Sequence, residues 1–188
     1  SAPNLESLVC GAKEAEPLND NLVGFWDMDE RNGTHIADLT SNDNDGTIVG
    51  ANRTYGRLGW GMEFDGEDFV NVSDSSSLDI TGEITVEAWI KPNVVSMDSG
   101  LGFIVEKTDG NPNNNGGYDL MWSDLGGAGH PTDGIVATLG TATGGYRSEK
   151  AADVVAENRW YYVAFTYDGS DTIIYVDGVD VSTTVVNA

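Results

Sequence analysis

Between residues 84 and 91 apolar and polar side chains alternate without a break, Ile84, Val86, Ala88 and Ile90 against Thr85, Glu87, Trp89 and Lys91. A period of two is the mark of a strand with two unlike faces. The helical period of 3.6 is almost absent from the rest of the chain, residues 5–13 ahead of Pro17 excepted. The run WYYVAFTY at 160–167 is aromatic throughout and predicts a strand covered on both faces. Further strands are predicted over 22–28, 34–38, 46–49, 61–64, 69–72, 103–107, 118–122, 134–139, 146–149, 172–176 and 179–186. Turn residues recur about every eight to twelve positions, which predicts an all-β antiparallel sandwich of two sheets. Asp177-Gly178, set between Ile173-Ile174-Tyr175-Val176 and Val179-Asp180-Val181, predicts a two-residue type I′ hairpin. Asp168-Gly169 and Asp65-Gly66 break the chain in the same way, and 109–117, rich in Asn and Gly with nothing apolar to bury, predicts a solvent loop.

A length of 188 residues predicts one domain, over 21–188, with the polar stretch 1–20 as an arm or linker. Its nine basic side chains stand against 31 acidic ones, a formal charge of -22. Such a surface repels a phosphate backbone and an anionic membrane alike, so no nucleic-acid partner is expected. Apolar runs fall far short of the roughly 20 residues that span a bilayer as a helix, and the amino end lacks a basic region followed by an apolar core. Membrane insertion is not expected, and any signal peptide is expected to have been removed. Cys10 is alone, which excludes an internal disulfide framework and a cysteine zinc site. Asn32, Asn52 and Asn71 each open an N-x-[ST] glycosylation triplet, which favours an extracellular or cell-surface location. The acidity itself has two readings, adaptation to high salt and a demand for calcium.

The order of motifs carries more than any one of them. LVGFWDMDE (22–30) is followed by ADLTSNDNDGTIVGA (37–51), GWGMEFDGEDFVNVSDSSSLDITGEITVEAWIKP (59–92), IVEKTDG with GYDLMW (104–122) and NRWYYVAFTYDGSDTIIYVDGVDV (158–181). This succession resembles the laminin-G-like family of concanavalin A-like jelly rolls over roughly residues 20–186. The resemblance implies two stacked antiparallel sheets, with binding by rim loops or the concave face. It also implies a non-catalytic extracellular module that recognises a glycan, another protein or calcium. Members of that family continue past the last hairpin into two closing strands that pair beside the first strand, here 22–28. Their absence from this sequence predicts an open edge there. A longer polypeptide, a strand donated by a neighbouring copy and a rearranged domain all remain open as explanations. The second would make the protein a structural subunit of a surface filament or layer.

A glucanase-like hydrolase is the third reading. It requires two carboxylates flanking the scissile bond, most simply on one face of one strand, and no E-x-D-x-E strand is present. Asp27 and Asp29, the nearest approach, read as a solvated strand end. His35 and His130 lack a nucleophile elbow and read as structural or surface residues. Calcium is the more plausible chemistry, because a hard cation takes six to eight oxygens and three loops are dense in them. These supply Asp43 and Asp45 within 41–46, Asp65, Glu67 and Asp68 within 65–68, and Asp109 within 109–115. Each is equally well a solvated acidic turn. Trp26, Trp89, Trp160, Tyr161 and Tyr162 are expected in the core. Trp122, Trp60 and Tyr146, with Tyr55, lie nearer turns and are expected to stack on a sugar ring, Trp122 foremost.

Overall fold

The computed structural model of the chain describes residues 21–93, 101–107, 117–123, 134–140, 146–152, 154–182 and 184–187. The expectations for 1–20, for Asp109 and the 109–115 loop, and for His130 lie outside them. Every regular element among the described residues is a strand: β1 His35–Ile36, β2 Gly46–Val49, β3 Asn52–Tyr55, β4 Trp60–Glu63, β5 Phe69–Val72, β6 Ile84–Ile90, β7 Leu101–Lys107, β8 Tyr118–Ser123, β9 Gly134–Gly140, β10 Tyr146–Ala152, β11 Tyr161–Tyr167, β12 Thr172–Val176, β13 Val179–Asp180 and β14 Thr184–Asn187. All pairings are antiparallel. The chain divides at Leu78/Asp79 into two compact units.

The first unit holds a three-stranded sheet in the order β1-β2-β5 and the separate β3–β4 hairpin. Residues 22–28, expected as a strand, form no regular element. Side chains hold this segment where a ladder was expected. The Phe25 amide donates to the Asp38 carboxylate at 3.0 Å and the Val23 carbonyl accepts from the Asn42 side-chain Nδ2 at 2.9 Å, while Leu39 N donates to the Phe25 carbonyl at 2.8 Å. Strand β3 was not expected, because Asn-Arg-Thr-Tyr has none of the apolar alternation that marks a half-buried strand. Its Arg53 spans to the Asn32 and His35 carbonyls at 3.2 and 3.1 Å and pairs with Glu30 at 3.6 Å.

The second unit is a two-layer sandwich. One sheet has the order β14-β10-β9-β8-β7, the other β13-β12-β11-β6. Tyr118, Leu120 and Trp122 of β8 and Ile135, Ala137 and Leu139 of β9 meet Ile84 of β6, Tyr161, Val163 and Phe165 of β11, and Ile174 and Val176 of β12 in one core. Each contributes every second residue, as a face of a pleated sheet must. The connection from β6 to β11 passes through β7, β8, β9 and β10 of the other sheet, so neighbours in this layer are distant in sequence. At Asp177-Gly178 both φ angles are positive, 51° and 78°, and Val176 pairs with Val179. That is the type I′ geometry expected from the dipeptide. The strand expected over 179–186 is interrupted at 181 and 182, and 184–187 form β14 in the opposite sheet.

Three aromatic assignments change. Trp89 is 44% exposed, not core, its register partner Tyr162 lies outside the core with it, and Trp122 is 5% exposed within the core instead of at a rim. All follow from the period of two. Trp89 shares its face with Thr85 and Glu87, and Trp122 shares its face with Leu120 and Tyr118.

Candidate functional site

A stacked aromatic pair, exposed Tyr55 on half-buried Trp60, stands on the β3–β4 hairpin. Tyr55 and Trp60 are register partners, with ring centroids 5.1 Å apart and planes 26° from parallel. Tyr55 is 79% exposed, and Leu58, in the four-residue loop between the strands, is 76% exposed. Large apolar surface left in water at such density is uncommon on a single hairpin.

The hairpin is held from its base. Asp29, considered above as half of a carboxylate pair, accepts from the Trp60 amide at 2.7 Å, and the Gly56 amide donates to the Gly59 carbonyl at 3.0 Å. Gly59 adopts φ +71°, and the space a Cβ would occupy there is filled by the Asp29 carboxylate. A side chain at 59 would carry both a left-handed backbone and a collision with the anchor. Gly59→Ala is therefore expected to lower stability by about 1–2 kcal/mol and to broaden the Tyr55 and Trp60 ring resonances in NMR spectra. Unchanged spectra and melting would refute the anchoring role. Asp27 accepts from the Asp29 amide at 3.0 Å, so this pair of acids organises a turn.

The acidic loops are occupied by their own backbone. Asp38, 6% exposed, accepts from the amides of Phe25, Thr40 and Asn44 at 3.0, 2.9 and 3.0 Å and from the Thr40 hydroxyl at 2.9 Å. Burial pushes its carboxyl up, but these hydrogen bonds outweigh burial and hold it below the usual carboxylate value. Asp45 accepts from the Asp38 amide at 2.9 Å, and Asp43, with φ 52°, is exposed. Asp65 accepts from the Glu67 amide and Asp68 from the Asp65 amide, each at 3.2 Å, while Glu67 itself is exposed. Among the described residues no three His, Cys, Asp or Glu side chains converge as a metal site would require. Asn32, Asn52 and Asn71 are all exposed. His35 is exposed, its Nδ1 3.1 Å from the Thr34 hydroxyl. Tyr146 opens β10 opposite Gly140.

The second unit presents two further groups. On the outer face of the four-stranded sheet Trp89 lies against its register partner Tyr162, ring centroids 5.3 Å apart. Burial, then a hydrogen bond to Glu87 and its charge, push the Tyr162 phenol up to about 12. On the five-stranded sheet, Asp119 points away from the core between Glu106 of β7 and Thr138 of β9, its register partners. It is 7% exposed, and its Oδ1 has no hydrogen-bond partner among the described residues. Burial first, and then the charge of Glu106, push its carboxyl up to about 7. A search for paired acids within one strand cannot see Glu106 and Asp119. The readable signal is their symmetric placement about the 109–117 loop, since a hairpin closing there pairs 106 with 119.

A laminin-G family model, described as that of the concanavalin A-like lectin/glucanases superfamily, matches residues 64–188. No curated protein and no solved structure matches the chain.

Proposed function

Since the chain belongs to the concanavalin A-like lectin/glucanases superfamily, whose domains serve in general as carbohydrate- or protein-binding modules, we propose that it is a non-catalytic glycan-binding module of the cell exterior that makes contact through Tyr55 and Trp60. The observation that carries this reading is the exposed Tyr55 ring stacked on a half-buried Trp60. A pyranose ring has one face of C–H groups, and an aromatic ring open to solvent is the usual surface for it. Trp60 backs Tyr55, and Asp29 and Gly59 fix the hairpin beneath, so little side-chain freedom is lost on binding.

The charge of -22 narrows the ligand. A sulfated or uronate-rich glycan is repelled over roughly a Debye length, which leaves neutral and amino sugars. Non-catalytic action is favoured by the uses found for Asp27, Asp29 and Asp38, whose oxygens are engaged by backbone amides. Less supports the competing role of a filament subunit completed by strand donation. Its basis is the exposure of Leu22 and Phe25 on the irregular segment 22–28.

Binding of neutral and amino oligosaccharides from an immobilised panel tests the reading. Tyr55→Ala and Trp60→Ala are each expected to weaken the strongest interaction roughly five- to ten-fold, the equivalent of about 1 kcal/mol of lost stacking. Tyr55→Ala should leave the melting temperature unchanged, because its ring is in solvent. Equal binding by parent and both variants, or no binder in the panel, would refute the assignment.

A further inference from the structure

Strand β7 is the edge of the five-stranded sheet and is paired to β8 alone within it. Its ladder is interrupted by a register shift between Phe103 and Val105, after which Val105, Glu106 and Lys107 meet Leu120, Asp119 and Tyr118. An edge strand with a bulge is the element of a sheet that opens at least cost. At the centre of its regular part, two acids face one another. Residues directly opposed in an antiparallel pair share a face with their Cβ atoms about 5 Å apart, and like charges there oppose pairing.

We propose that Glu106 and Asp119, opposed across β7 and β8, form a proton-held latch that keeps the edge strand on its sheet in mildly acid solution and loosens it in alkaline solution. The inference is independent of the glycan-binding reading. Asp119 is 7% exposed and its Oδ1 has no partner among the described residues, so water screens a charge there poorly and no described donor meets that oxygen. Protonation removes that charge, and its carboxyl, pushed up to about 7 by burial and then by Glu106, takes the proton in neutral solution.

Among the described residues nothing else near the pair relieves the charge. β9, the other neighbour of β8, places Thr138 beside Asp119 and carries no titratable residue between Gly134 and Gly140. On β8 itself Tyr118 is turned into the core, and its phenol is raised chiefly by burial. Lys107, the next residue on β7, is held 3.0 Å from Asp79 and stands opposite Tyr118. Arg147, Glu149 and Lys150 lie on β10, two strands from Asp119, where Ser148 is the residue that continues the row through Thr138. Deprotonation therefore sets two carboxylates against each other in one row, and the strand free to move is β7.

Amide hydrogen exchange of the full chain tests the latch. With intrinsic rates corrected, a carboxyl that titrates near 7 when closed and near 3.8 when open should raise the opening of residues 101–107 about ten-fold between pH 6 and pH 8.5. β12, remote from the pair within the other sheet, should show no such step. Asp119→Asn, which keeps the shape of the protonated acid, should abolish the rise. Glu106→Gln should leave a smaller rise at lower pH, and it keeps the test decisive if the Asn variant does not fold. Carbon-13 titration of the Asp119 carboxyl should give a midpoint near 7. Equal corrected protection of 101–107 in the parent at both pH values, or a midpoint in the ordinary carboxylate range, would overturn the latch.

Discussion

Asp38→Ala is expected to destabilise the first unit by about 3–5 kcal/mol, because it leaves three amide donors without an acceptor in a place that water reaches poorly. The Phe25, Thr40 and Asn44 amides all end on this one carboxylate, and the Thr40 hydroxyl joins them. The carboxylate thereby joins the irregular 22–28 segment to the loop at 38–45, alongside the Leu39–Phe25 backbone bond and the Asn42 side chain on the Val23 carbonyl. The Trp26 indole, which donates to the Asn44 carbonyl at 2.8 Å, should report the loss as a fluorescence change in the native baseline. Asp38→Asn keeps the shape but turns an amide donor toward other donors, so a smaller loss is expected. The pH dependence has a definite sign. A carboxyl held below 3.8 in the folded state contributes stability that is complete above 3.8 and disappears as pH falls through the folded value. Urea unfolding at pH 7 and pH 3 measures both effects. A loss under about 1 kcal/mol at pH 7 for the alanine variant would show that water replaces the carboxylate without penalty.

What could be read in advance divides along one physical line. Patterns that repeat within a few residues were legible. The alternation at 84–90 became β6 with Ile84 inward, and Asp177-Gly178 made the turn its backbone preferences require. Even the reversal of Trp89 and Trp122 was present in the sequence, because their neighbours at two-residue spacing state which face each occupies. Period, not aromatic content, decides the face. Strand β3 was invisible because Arg53 stabilises it through carbonyls at 32 and 35 and through Glu30, contacts between residues far apart in sequence. The role of Asp38 was hidden for the same reason. A carboxylate preceding a run of Asn and Asp reads as one more turn acid, and only the folded chain shows that the Phe25 amide ends on it. On the hairpin, Trp60 is half-buried, and its stacking on Tyr55 depends on the β3–β4 register, which no local pattern states.

Asp119→Asn is expected to act in the opposite direction to the loss of Asp38 and to stabilise the chain at pH 8. A carboxyl moved from 3.8 unfolded to about 7 folded carries a penalty of up to about 4 kcal/mol once both states are ionised. The native state holds the extra proton between those two values, so stability is complete below 3.8, falls as pH rises and is flat above about 7. Asparagine does not ionise, but its amide brings its own unmet hydrogen bonds, worth about 1–3 kcal/mol in a buried place. A net gain of about 2 kcal/mol at pH 8 remains, or roughly 4–8 °C in melting temperature for a chain of this size. At pH 4 the same variant should be no more stable than the parent. The difference between variant and parent is the informative quantity, since the repulsion among 31 acidic side chains weakens on acidification in both proteins and cancels. A difference that is level from pH 4 to pH 8 would mean that Asp119 ionises without penalty in the folded chain. If it instead opens across that interval, the two buried acids bound the working range between them, Asp38 requiring its charge and Asp119 its proton, and the parent should be most stable in mildly acid solution.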